Sequence, residues 1–143
     1  MILNGTDSGS GPAWSQTISV APNTQYAYSG WFATLFDQSP ASIELRVYDG
    51  AVLVDSSAFF TPADTADWEF HDMTFGSGGA TNLSIEIWDT NLQFAGNDYA
   101  IDDISVVAVP EPFSLAMIAG ACVALIGLAW RQKKTSKIKR PRV

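Results

Sequence analysis

The chain has 143 residues and a formal net charge of −7, which leaves room for one domain and a tail. Residues 1–112 hold all 15 acidic residues and one base, Arg46, a net of −14, while residues 131–143 hold the other seven bases. So acidic a front domain repels phosphates and is no nucleic-acid binder, and a single cysteine, Cys122, excludes a disulfide within the chain. Ile2-Leu3 is a short apolar pair, followed by a turn-rich stretch from Asn4 to Pro12. Trp14 to Val20 alternates, with Trp14, Gln16, Ile18 and Val20 on one side. After the turn Ala21–Thr24, Tyr26 to Leu35 is the next predicted strand. Its Tyr26, Tyr28 and Phe32 share one face and Trp31 takes the other.

Ile43, Leu45 and Val47 alternate with Glu44, Arg46 and Tyr48, the period of a half-buried strand. Asp49-Gly50 signals a hairpin, with the return strand running from Val52 toward Phe60. Trp68 to Phe75 is ended by Gly76-Ser77-Gly78-Gly79. Leu83, Ile85 and Ile87 alternate with Ser84, Glu86 and Trp88, and Tyr99 to Val107 is the last strand. Seven or so short strands with no helical period predict an all-β fold over residues 1–108, an antiparallel β-sandwich or jelly roll.

Residues 109–112 are Val-Pro-Glu-Pro, and the two prolines keep the β domain from running into the apolar segment beyond them. Residues 113–130 are 18 consecutive uncharged residues, the short end of a transmembrane helix. Trp130 falls at the membrane–water boundary, and residues 131–143 form a basic tail starting at Arg131. By the positive-inside rule that tail is cytoplasmic and residues 1–108 lie outside, which predicts a single-pass inner-membrane protein.

The order of proline–acid–proline, apolar helix, basic residues and chain end resembles the PEP-CTERM sorting signal. The same segment is also called the ice-binding protein C-terminal domain, a label for the tail and not for an activity. The resemblance covers Val109 to about Lys134 and rests on Val109, Pro110, Glu111, Pro112 and Arg131 with the span between them. It implies export, processing by an exosortase-type membrane enzyme, and delivery to the cell surface or extracellular matrix. A second resemblance covers Ile2 to Val107. Trp14-Ser-Gln-Thr-Ile-Ser-Val, Pro22-Asn23-Thr24, Tyr26-Ala-Tyr-Ser-Gly-Trp31 and Asn97-Asp98-Tyr99-Ala100-Ile101-Asp102-Asp103-Ile104 together are similar to galactose-binding-like jelly rolls. The nearest in pattern are the carbohydrate-binding modules near families 4, 9 and 22. The family's opening strand, with an Asn-Gly-x-Phe-Glu type motif, has no counterpart here, and Met1-Ile2-Leu3-Asn4-Gly5 shows neither the basic nor the apolar region of a signal peptide. Both gaps predict an N-terminally truncated sandwich.

The resemblance implies polysaccharide as a partner and a structural calcium near the last strand. Asp98, Asp102 and Asp103 are the candidate calcium ligands, because calcium takes six to eight oxygens. Adjacent strand residues point to opposite faces, so at most one of Asp102 and Asp103 would ligate by its side chain. An exposed indole or phenol offers an apolar face to sugar C–H groups. Trp88, Tyr48 and Trp14 are the candidate ligand-binding aromatics, whereas Trp31 and Trp68 read as packing residues. No enzyme is expected: His71 is the sole histidine, in mid-strand, and no nucleophile elbow, phosphate loop or zinc motif occurs. The function expected is therefore a membrane-anchored surface or matrix protein whose sandwich binds carbohydrate without catalysis. The alternatives are an adhesion module with no small ligand and a truncated enzyme appendage. The DNA upstream of Met1 tests the export reading: an in-frame signal peptide and a strand with Asn-Gly-x-Phe-Glu are expected. A stop codon immediately upstream would instead leave the β domain cytoplasmic.

Overall fold

Alternation of apolar and polar residues dominates the local signal, and the chain answers it with strands. The computed structural model describes residues 1–5, 9–65, 67–93 and 95–110. Eight strands occur among them: β1 (Ile2–Leu3), β2 (Trp14–Ser19), β3 (Gln25–Thr34), β4 (Ser42–Asp49), β5 (Val52–Phe60), β6 (Trp68–Gly76), β7 (Asn82–Asp89) and β8 (Tyr99–Ala108). They pair antiparallel into two four-stranded sheets, in the orders β1-β8-β3-β6 and β2-β7-β4-β5. Each sheet interleaves early and late strands, the ordering of a jelly roll.

Pleating sends successive side chains to opposite faces. From β4 the inward set is Ile43, Leu45 and Val47, and from β7 it is Leu83, Ile85 and Ile87. Tyr28, Phe32, Met73, Phe75, Tyr99 and Ile101 of the other sheet meet them, and together they form the core. Fully burying one such large apolar side chain is worth about 1.5–3 kcal/mol, so the interior sets the register of every strand. In β2, Trp14 lies opposite Ile87 and Ile18 opposite Leu83. Directly paired residues share a face, and both Trp14 and Ile18 pack against the core. Trp14, a candidate ligand-binding aromatic in the sequence, is thus partly buried against the core.

Two features went unread in the sequence. The pair Ile2-Leu3 is a strand because β8 supplies its partners: Ile2 lies opposite Ala100 and Leu3 opposite Tyr99. Asp103 adopts φ 49° at a register shift in the β3–β8 pairing. The bulge turns Ile104 inward over Gly30, where a Cβ would stand 2.4 Å from Ile104 Cδ1. At the Thr34 end of the sandwich, Asn91 staples two loops. Its Nδ2 donates to Ser39 Oγ at 2.9 Å and Pro40 O at 2.8 Å, and Asp89 accepts from Asn91 N and Asn97 Nδ2.

Burial pushes the Tyr28 hydroxyl well above the ordinary tyrosine range, with Glu86 and Tyr99 adding to it. Burial does the same for Tyr99, where the Asp89 carboxylate adds. A value raised in the folded state favours the neutral phenol in the fold. That contribution is complete below about pH 10, where unfolded tyrosine titrates, and is lost as pH rises beyond it. Urea denaturation should therefore show stability falling steeply above about pH 10. Tyr99→Phe should blunt that fall and cost under about 1 kcal/mol at neutral pH, because the Tyr99 hydroxyl has no hydrogen-bond partner among the described residues.

Candidate ligand-binding faces

A two-sheet sandwich covers one face of each sheet and leaves the other to solvent. The outer face of the β2-β7-β4-β5 sheet carries Tyr48 and Trp88, both half-buried. Glu44 lies opposite Trp88, Arg46 opposite Glu86 and Tyr48 opposite Ser84. Arg46 Nη2 donates to Glu44 Oε2 at 2.6 Å, and the guanidinium carbon lies 4.3 Å from the Trp88 ring centroid. Trp88 Nε1 donates to Glu86 Oε2 at 2.7 Å. The bond from Arg46 holds the Glu44 carboxyl below its ordinary range against the opposing effect of burial. One ring face of Trp88 and its only polar atom are thus already engaged within the protein. This row laces β4 to β7; a sugar stacking on that ring face would have to displace Arg46.

The outer face of the β1-β8-β3-β6 sheet is different. Inward Met73 and Phe75 fix the phase of β6, so Trp68, Phe70, Asp72 and Thr74 point out. In β3, inward Tyr28 and Phe32 send Ser29 and Trp31 out. Register sets Trp31 opposite Phe70 and Ala33 opposite Trp68. Trp31 is 39% exposed, Trp68 46% and Phe70 48%. The Trp31 and Phe70 rings sit 5.4 Å apart at 60°. Trp31 and Trp68, read from the sequence as packing residues, are therefore solvent-facing. The sign that could have revealed them lies in the sequence: each sits on the face opposite the inward tyrosine, phenylalanine and methionine of its own strand.

His71 takes the inner side of β6. Its ring stacks on Phe59 of the other sheet, with centroids 3.6 Å apart at 10°, and its Nε2 has no hydrogen-bond partner among the described residues. It fills the seam between the sheet edges.

The remaining candidates are dispersed. Asp98 precedes β8, accepts from Gly5 N at 2.9 Å and lines an open depression of about 400 Å³ with Asn4, Phe36, Asp37, Gln38 and Gly96. Asp102 points outward beside Trp31, and Asp103 occupies the bulge. Asp98 and Asp102 are four residues apart along the chain entering β8, about 13 Å at strand rise, too far to share an ion. Among the described residues no group of three or more His, Cys, Asp or Glu is placed to hold a metal. Val109 N donates to Gln25 O at 2.8 Å, which seats the start of the Val-Pro-Glu-Pro motif beside β3. Pro110 is exposed. Glu111, Pro112, Arg131 and the apolar segment 113–130 lie outside the described residues. Among the described residues no helix is long and apolar enough to cross a membrane.

No family model matches the chain, and no curated protein matches it. Thirty-one solved chains do. A carbohydrate-binding module in a structure described as "CBM4 structure and function" aligns with TM-score 0.52 and 17% identity, over 66% of this chain and 59% of that one. The sugar-binding C-terminal domain of EclA aligns with TM-score 0.55 and 10% identity, over 69% of each. The Stig cyclase Fisc from Fischerella sp. TAU aligns with TM-score 0.56 and 14% identity, over 67% of this chain and 55% of that one. The chain thus spans less than two thirds of the first and third. What these likenesses establish is the fold, a jelly roll of the architecture used by carbohydrate-binding modules.

Removing the guanidinium tests the lacing role of the Trp88 face. Arg46→Ala should lower stability by about 1 kcal/mol, since it removes a cation–π contact and an ion pair whose side chains are mostly buried. Chemical denaturation reads it directly; an unchanged midpoint would mean that the row contributes nothing to the fold.

Proposed function

We propose that residues 1–108 form a non-catalytic carbohydrate-binding module whose platform is the outer face of the β1-β8-β3-β6 sheet. One observation carries this reading: Trp31, Phe70 and Trp68 expose large aromatic surface together on one sheet face, beside Ser29, Asp72 and Asp102. Aromatic rings with flanking hydroxyls and carboxylates are what stacking sugars need, and a rigid sheet presents them at low entropic cost. The two carbohydrate-binding neighbours support the reading by their described roles. The resemblance of Val109–Lys134 to a sorting signal supports display of the module at the cell surface or in an extracellular matrix, after handling by an exosortase-type enzyme.

A second reading is a matrix module that binds copies of itself. Edge strand β5 favours it, because Val52 (68% exposed), Leu53 (48%) and Phe60 (71%) are bare and no proline or lysine guards the edge. Retention of the full-length protein, in detergent, on insoluble glucan, xylan and chitin separates the two. Trp31→Ala with Phe70→Ala should weaken retention at least about tenfold, the scale of a central aromatic contact, with an unchanged melting temperature. Absence of retention on every polymer by the folded wild type would leave the self-association reading.

A further inference from the structure

The aromatic row is bracketed by carboxylates. Asp102 lies directly across from Trp31 on β8, so its Cβ is about 4.5–5.5 Å from that of Trp31 and on the same face. Asp72 follows Phe70 on β6 and lies across from Ser29, diagonal to Trp31. Both are exposed. Asp102 spends Oδ1 on its neighbour Asp103 N at 2.9 Å. No lysine or arginine of the sandwich answers them: Arg46 is the sole one before residue 131, and it sits on the other sheet bonded to Glu44, while the Met1 ammonium donates to Ile101 O. The platform is therefore aromatic and anionic at once.

Resting on the platform reading above, we infer that the preferred ligand is a polysaccharide whose sugars carry free, positively charged amino groups. A uronic-acid polymer meets two carboxylates and is repelled. A neutral glycan gains stacking and ordinary hydrogen bonds. An ammonium-bearing sugar stacked on Trp31 gains those and more: charge-assisted hydrogen bonds to Asp102 and Asp72, and a cation–π contact with the indole. Each exposed pair contributes little alone, and the two with the cation–π contact together give a preference of about fivefold to thirtyfold over the N-acetylated polymer. The net charge of −14 over residues 1–112 raises the local concentration of such a polymer at low salt.

The test is retention of the full-length protein on chitosan, chitin, cellulose and polygalacturonate across a salt series. Chitosan should exceed chitin by about fivefold to thirtyfold at low salt, with polygalacturonate not retained. Asp102→Asn with Asp72→Asn should bring the ratio near one, because chitosan retention falls far more than chitin retention. Trp31→Ala, which keeps every charge, should lose chitosan retention. Equal wild-type retention on chitin and chitosan overturns the amino-sugar preference and leaves the platform standing; no retention on any polymer overturns both. Chitosan retention that survives Trp31→Ala is bulk electrostatics and overturns the inference. Immobilised polylysine retaining the protein as well as chitosan does would make the ligand a cationic peptide, and would also overturn it.

Discussion

Tyr28, Phe32, Leu45, Val47, Ile85 and Ile87 meet between two sheets, and the rest of the domain depends on that contact. A strand has two faces and a sandwich can bury only one of them. Once the inward residues are chosen, pleating assigns every neighbour to solvent without further instruction. The outer faces are therefore a consequence of the core. Trp31 is exposed because Tyr28 and Phe32 are not, and Trp68 and Phe70 are exposed because Met73 and Phe75 are inward.

The two outer faces then diverge through cross-strand register. On one sheet a register of Arg46 with Glu86, and Glu44 with Trp88, lets opposite charges and an indole satisfy one another. That face is closed chemically although it is open to water. On the other sheet, Trp31 faces Phe70 on one side and Asp102 on the other, with no lysine or arginine of the sandwich to neutralise the carboxylate. Groups left without internal partners are where an external one gains most. The same sequence composition, aromatic residues interleaved with acids, thus becomes structural on one sheet and the proposed binding platform on the other.

Departures from regular pleating tune this arrangement. The bulge at Asp103 spends one residue in a left-handed conformation to turn Ile104 inward over Gly30. It also keeps Asp102 in phase with Trp31, since the shift falls after that pair. At the Thr34 end, Asn91 fixes the two loops beyond the platform by hydrogen bonds to Ser39 and Pro40. A platform on a rigid sheet, with its end loops stapled, loses little freedom when a ligand lands.

The seven longer strands, their boundaries to within a residue or so and the all-β class were legible in the sequence because a period of two is a local signal that burial on one face imposes on each strand separately. Ile43 to Val47 and Leu83 to Ile87 announce themselves in this way. The acidic front, the basic end and the apolar run between residues 113 and 130 are likewise plain in one dimension. Tertiary structure decided what no window of sequence contains: that Ile2-Leu3 pairs with β8, that Trp14 points inward opposite Ile87, that Arg46 caps Trp88, and that Trp31, Phe70 and Asp102 stand in one row. Each of these depends on a partner that is distant in the chain, and register between strands is set by the packing of the whole core. Periodicity tells which residues share a face; only the assembled sheets tell what that face meets.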